Sequence, residues 1–156
     1  MYLRLSVTDA CDFRCWYCRP EGGGPLPAAG PPLGREALLA LIHGLHRVAP
    51  LTKIRLTGGE PLLRPDLEAI IAALRALLPE AELTLTTNGH RLAERVAGLR
   101  SAGLDRINVS LDSVAPARFA EITGREALSD VMRGVAAVQQ AGFAPPKLNA
   151  VLLRHG

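Results

Sequence analysis

All three cysteines of the chain fall in "CDFRCWYC", residues 11–18, where Cys11, Cys15 and Cys18 are spaced C-x3-C-x2-C. An odd number of thiols packed so closely is not a disulfide framework, and a reducing compartment would not keep one. The thiols are therefore either reduced or bound to metal. A tetrahedral zinc site needs a fourth ligand. Of the four histidines, His43 and His46 lie in or beside an apolar helical stripe and His90 follows a turn, so none has zinc-module spacing and none is assigned a role. A 4Fe-4S cluster can be held by thiolates, and three of them would leave one iron without a protein ligand. Such an open position is what a catalytic metal site keeps. The absence of a fourth cysteine then marks the place of reaction.

The elements that must position these thiols can be read from periodicity. Five alternating segments are expected as strands: "YLRLSVT" (2–8), "KIRLTG" (53–58), "ELTLTTNG" (82–89), "RINVSLDS" (106–113) and "KLNAVLL" (147–153). Between them lie apolar stripes at helical spacing, namely Leu38, Leu41, Ile42 and Leu45; Leu67, Ile70, Ile71 and Leu74; Leu92, Val96 and Leu99; and Leu128, Val131, Val135 and Val138. Gly103 and Gly142 stand where helix C-caps are expected. Strands alternating with helices require right-handed crossovers and a parallel sheet, hence an α/β fold. The thiols follow the first strand, at the end where open α/β sheets place their chemistry.

Parallel strands buried on both faces should be continuously apolar, yet these alternate. Leu3, Leu5, Ile54, Leu56, Leu83, Leu85, Ile107, Val109, Leu148 and Leu152 share one face, expected under the helices. Arg4, Arg55, Thr84, Thr86, Asn108, Ser110 and Lys147 share the other. Polar groups on an enclosed face need partners, so a curved sheet with a hydrophilic chamber on its concave side is expected. The Gly- and Pro-rich stretch 19–34 can form neither helix nor strand and is expected to be a mobile loop.

Composition narrows the function classes. The chain has 156 residues and is 48% hydrophobic, enough for a single core, so one domain spanning residues 1–156 is expected. No run of eighteen apolar residues and no charged-then-apolar leader occur, which predicts no membrane association and a cytoplasmic address. The formal charge is +3, carried almost wholly by arginine; only Lys53 and Lys147 are lysines. Arg75, Arg95 and Arg100 are read as ordinary helix-surface positions. With only 4% aromatic residues and no basic stripe interleaved with them, nucleic-acid binding is excluded.

The cysteine motif, with the aromatic Tyr17 just before its last thiol, resembles the radical S-adenosylmethionine superfamily. The resemblance implies an incomplete parallel (β/α) barrel with about five of six strands. It also implies that Cys11, Cys15 and Cys18 hold a 4Fe-4S cluster that reductively cleaves S-adenosylmethionine to a 5'-deoxyadenosyl radical. "TGGEP" (57–61) resembles the segment in which Gly58, Gly59 and Glu60 meet the methionine amino group, and "NVSLDS" (108–113) the segment whose Ser110 contacts S-adenosylmethionine. Within the superfamily, "KIRLTGGEPLLR", "LTTNG", "RINVSLDS", "ITGR" and "KLNAVLL" resemble the GTP 3',8-cyclase family of molybdenum-cofactor biosynthesis. That resemblance implies GTP as substrate, bound by Arg4, Arg55, Thr86 and Lys147, and abstraction of its ribose H3' before C3' attacks guanine C8. It implies an electron donor such as flavodoxin or ferredoxin, and it allows a homodimer.

The chain also departs from the family. Ala10 replaces a commonly basic residue and Arg19 a common methionine. A sixth strand and the C-terminal region holding a second, guanine-binding cluster are missing, so a truncated front portion of a cyclase is expected. Two other readings use the same motif: a radical S-adenosylmethionine enzyme acting on a peptide or small molecule, and a non-catalytic fragment holding structural zinc or an electron-transfer cluster. Arg4, "ITGR" and Lys147 favour the cyclase over the first. Metal and sulfide analysis separates the second.

Overall fold

A computed structural model describes residues 1–18 and 31–152. The elements run β1 (Tyr2–Ser6), α1 (Arg35–Val48), β2 (Lys53–Thr57), a 3-10 turn (Pro61–Leu63), α2 (Leu67–Leu77), β3 (Glu82–Thr87), α3 (Leu92–Ser101), β4 (Arg106–Ser110), α4 (Pro116–Thr123), α5 (Leu128–Gln140) and β5 (Lys147–Asn149). The five strands form one sheet in the order β1-β2-β3-β4-β5, with every neighbouring pair parallel. Sequential parallel strands joined by crossovers of one hand keep all helices on one face. The other face is thereby left to polar side chains, which is why the strands alternate. The architecture is the expected α/β partial barrel.

The apolar face forms the core. Ile54, Leu56, Leu83 and Leu85 are fully buried, as are Leu67, Ile70, Ile71 and Leu74 of α2, and each such side chain stabilises the fold by about 1.5–3 kcal/mol. Val131 and Val138 of α5 and Leu92 and Leu99 of α3 complete it. Gly103 and Gly142 follow α3 and α5 with φ of 94° and 77°, the left-handed turn that ends a helix. Among the described residues no helix is long and apolar enough to cross a membrane.

Four expectations change. The strands end one to four residues before their sequence patterns do, because the chain turns into the loops that follow them. α4 is an additional short helix, started by Pro116 at its first turn and seated by Phe119 and Ile122. Leu148 and Leu152 are 54% and 94% exposed instead of packed under helices, since β5 is an edge strand of three residues with no later described element to cover it. Arg75, Arg95 and Arg100 are not merely solvated. Arg75 donates to Pro79 O, Ala81 O and Gly103 O and pairs with Asp105, Arg95 donates to Leu62 O and Arg64 O and pairs with Glu68, and Arg100 stacks over Phe143. Of the expected loop 19–34, residues 19–30 lie outside the described residues.

Candidate functional site at the carboxyl ends of the strands

The loops after β1 and β2 lie directly on one another. Gly59 N donates to Thr8 O and Glu60 N to Ala10 O, both at 2.7 Å. A Cβ on Gly58, whose φ is 144°, would stand 2.1 Å from Thr8 O, and one on Gly59 would stand 2.3 Å from Ala10 O. The double glycine is therefore what lets the cysteine loop ride so close over β2. Cys11, Cys15 and Cys18 line one cleft of about 310 Å³ together with Ser6, Gly58 and Gly59. Cys11 and Cys15 are half-buried, Cys18 is exposed, and none is in a disulfide.

Among the described residues, no three His, Cys, Asp or Glu side chains converge on a single metal-ion position. Three thiols ringing a shared cleft instead suit a polynuclear cluster, in which each thiolate binds its own iron. Burial raises the Cys15 thiol to about 11, helped by Asp112 and the neighbouring cysteines. Without metal this thiol keeps its proton at neutral pH, so loading a metal must displace it. The donor set, the cleft and the glycine cradle fit a cluster of this kind.

The residues around the cleft are held by the protein itself. The Glu60 carboxylate is 1% exposed and accepts from Leu62 N at 2.9 Å, Thr87 Oγ1 at 2.7 Å and Asn88 N at 2.6 Å. Burial pushes its carboxyl up to about 7 against the pull of those donors. What this segment offers outward is thus the backbone of residues 58–60. The Tyr17 hydroxyl donates to Asp112 Oδ2 at 2.6 Å, and burial with this acceptor drives its pKa far upward, so its ring and backbone remain for contact. Ser110 ends β4, half-buried, and Leu111 N donates to Asn149 O beside it.

A second cavity, of about 320 Å³, opens on the polar face and is walled by Lys53, Arg55, Thr84, Arg106, Asn108 and Lys147. Glu82 pairs with Lys53 at 2.7 Å and Arg106 at 2.8 Å. Among the described residues Arg4, Arg55 and Lys147 have no carboxylate partner, and the buried Arg55 Nε has no hydrogen-bond acceptor. The Arg55 guanidinium sits 5.5 Å over the Tyr2 ring. Arg4 is registered opposite Arg55, and Thr86 opposite Asn108. The structure brings Arg55 and Lys147 into one cavity, with Arg4 on the adjoining strand and Thr86 one step nearer the thiols. A larger groove of about 520 Å³ between α4 and α5 contains none of these residues.

Sequence reasoning missed Asp12, His90, Asp112 and Arg125, whose polar contacts fasten the cysteine loop. The signal for Asp12 was its place between two thiols, and Asp112 and Arg125 stand inside "NVSLDS" and "ITGR", motifs noted without a role for these two residues; His90 had no local pattern.

The Radical SAM superfamily model matches residues 5–155. The chain is 51% identical over 151 residues to a GTP 3',8-cyclase of Mycolicibacterium smegmatis, covering 96% of this chain and 42% of the relative. It is 47% identical over 150 residues to a GTP 3',8-cyclase of Mycobacterium sp. (strain KMS), covering 96% of this chain and 43% of the relative. The chain thus spans less than half the length of the curated relatives it matches. Among solved structures, Streptococcus suis SuiB bound to S-adenosylmethionine superposes with a TM-score of 0.76 at 18% identity, over 99% of this chain and 33% of that one. Native anSMEcpe with bound AdoMet gives 0.72 at 18% identity, over 96% and 42%. At such identity these two speak for the fold alone.

Proposed function

The chain belongs to the radical SAM superfamily, and from that premise we propose that it carries the radical-generating and phosphate-binding part of a GTP 3',8-cyclase reaction. Cys11, Cys15 and Cys18 would hold a 4Fe-4S cluster. When bound, that cluster supplies the electron that cleaves S-adenosylmethionine, giving the 5'-deoxyadenosyl radical that removes H3' of GTP. An external one-electron donor of the flavodoxin or ferredoxin type would refill it.

The protein's own part is to orient and shield. The backbone of Gly58, Gly59 and Glu60, with Tyr17 and Ser110, would receive S-adenosylmethionine, while the Glu60 carboxylate keeps the loop in place. Arg4, Arg55, Thr86 and Lys147 would receive GTP through its phosphates, for which charge-assisted hydrogen bonds from arginine and lysine are the strong ones. The observation that carries this reading is the buried Arg55 Nε without an acceptor, on the strand paired with β1, from whose end the thiol-bearing loop departs. A buried donor is costly unless something meets it, and an anionic oxygen would. Identity of 47–51% to GTP 3',8-cyclases supports the cyclase over a peptide-modifying enzyme.

The test is anaerobic iron and sulfide reconstitution, reduction in the presence of S-adenosylmethionine, and assay of 5'-deoxyadenosine with and without GTP. The proposal expects 5'-deoxyadenosine, and more of it when GTP is present. A fully loaded chain that forms none would contradict it.

A further inference from the structure

The "ITGR" motif (122–125) and His90 are given no chemical role in the proposed function, yet both reach the cysteine loop. Cys11 to Cys18 contains only one tight turn, in which Cys18 N donates to Cys15 O. Its conformation must be imposed from outside, because a segment with so few internal bonds would otherwise sample many.

The grip comes from two sides. On one, Arg14 N donates to Thr123 O at 2.8 Å and Trp16 N to Ile122 O at 3.2 Å. Gly124 turns left-handed at φ 66°, which sends Arg125 back so that its Nη1 donates to Asp12 O at 2.8 Å. On the other, Asn88 Nδ2 donates to Asp12 Oδ1 at 2.8 Å and His90 Nδ1 meets Asp12 Oδ2 at 2.7 Å. The Asp12 and His90 side chains are only 11% and 18% exposed, so water competes weakly for this bond. Phe13 packs on the His90 ring and edge-on against Phe119, both at 5.8 Å. Behind the imidazole, Nε2 lies 3.5 Å from Asp130 of α5.

We propose that His90 is a positioning residue: bonded to Asp12 and opposed by residues 122–125 across the loop, it fixes the backbone between Cys11 and Cys15 in the shape that receives the cluster. The proposal rests on the reading of the three cysteines as cluster ligands, but its geometry exists in the cluster-free chain. His90 acts through Asp12, to which its Nδ1 is bonded.

The test compares wild type with His90→Ala and His90→Asn, the latter placing an amide N–H near the position of Nδ1. Amide hydrogen exchange is followed by NMR on the cluster-free chain. Loss of one charge-assisted bond in a locally opening segment should speed exchange at Arg14 and Trp16 about tenfold in His90→Ala. Amides of α2 should be unchanged, and His90→Asn should recover most of the protection. After reconstitution, iron loss to a chelator should follow the same order at equal thermal midpoint. Unchanged exchange at Arg14 and Trp16 in His90→Ala, or no recovery in His90→Asn, overturns the proposal. A general rise that includes α2 would also overturn it, by showing a plain stability effect. If wild type takes up no iron and sulfide, the cluster reading fails, and the exchange data still decide the role of His90.

Discussion

At the rim of the sheet the Glu60 carboxylate meets three protein donors, whereas on the concave face the buried Nε of Arg55 meets no acceptor at all. Both groups sit on or beside β2, and both are ionisable. The rim closes upon itself: Asn88 joins Glu60 to Asp12, Tyr17 joins the cysteine loop to Asp112, and Arg64 donates to Val7 O. Among the described residues the polar-face cavity leaves Arg55 and Lys147 without carboxylates, while Lys53 and Arg106 share Glu82. Polar groups that complete one another serve structure, and polar groups left incomplete await a ligand. The rim is read as a scaffold for cluster ligands, the cavity as a receptor for anionic oxygens.

The largest effect should come from removing a thiol at the rim. Cys15→Ala is expected to eliminate iron and sulfide uptake measured after reconstitution, with GTP affinity by calorimetry unchanged. Joint loss of both would merge the two regions.

The carboxylate at the rim gives the next largest. Burial holds the Glu60 carboxyl at about 7 in the folded chain, against an ordinary 4.5 once unfolded. Between those values the folded chain keeps a proton that the unfolded chain has released. The resulting stability is fully present below about pH 4.5 and lost as pH rises through about 7, a change of about 3 kcal/mol. Urea unfolding across this range should show the slope, and Glu60→Gln should flatten it.

Gly59→Ala tests the close approach of the two loops. Its Cβ would meet Ala10 O at 2.3 Å and Asp9 O at 2.6 Å, both backbone atoms that cannot swing away. A loss of about 2–3 kcal/mol is expected in denaturant unfolding. A loss near zero would mean that the cradle is looser than the structure has it.

How much of this was legible beforehand differs between the same two regions. The concave face was readable, because alternation at period two is fixed by the pleat and puts Arg4, Arg55, Thr86 and Lys147 on one side. The helical stripes of α2 and α3 were readable for the same kind of reason. The rim was half legible: the thiols and double glycine stand out, but their supports do not. Asp12 reaches His90 across 78 residues and Tyr17 reaches Asp112 across 95, and no local periodicity encodes such pairs. His90, set aside as a residue after a turn, lies at the centre of one. Leu148 was misplaced because its pattern is that of a covered strand, while its cover is not among the described elements.

The smallest expected change in stability accompanies the most direct test. GTP is titrated into wild type and Arg55→Met, and thermal unfolding of both chains is measured alongside. Arg55→Met removes a buried donor without an acceptor, so stability should stay within about 1 kcal/mol of wild type or rise. A lost charged hydrogen bond to phosphate should weaken GTP binding about tenfold or more. Weakened binding at undiminished stability would establish Arg55 as a receptor group; unchanged GTP affinity, or an unfolding midpoint that falls with it, would contradict the account.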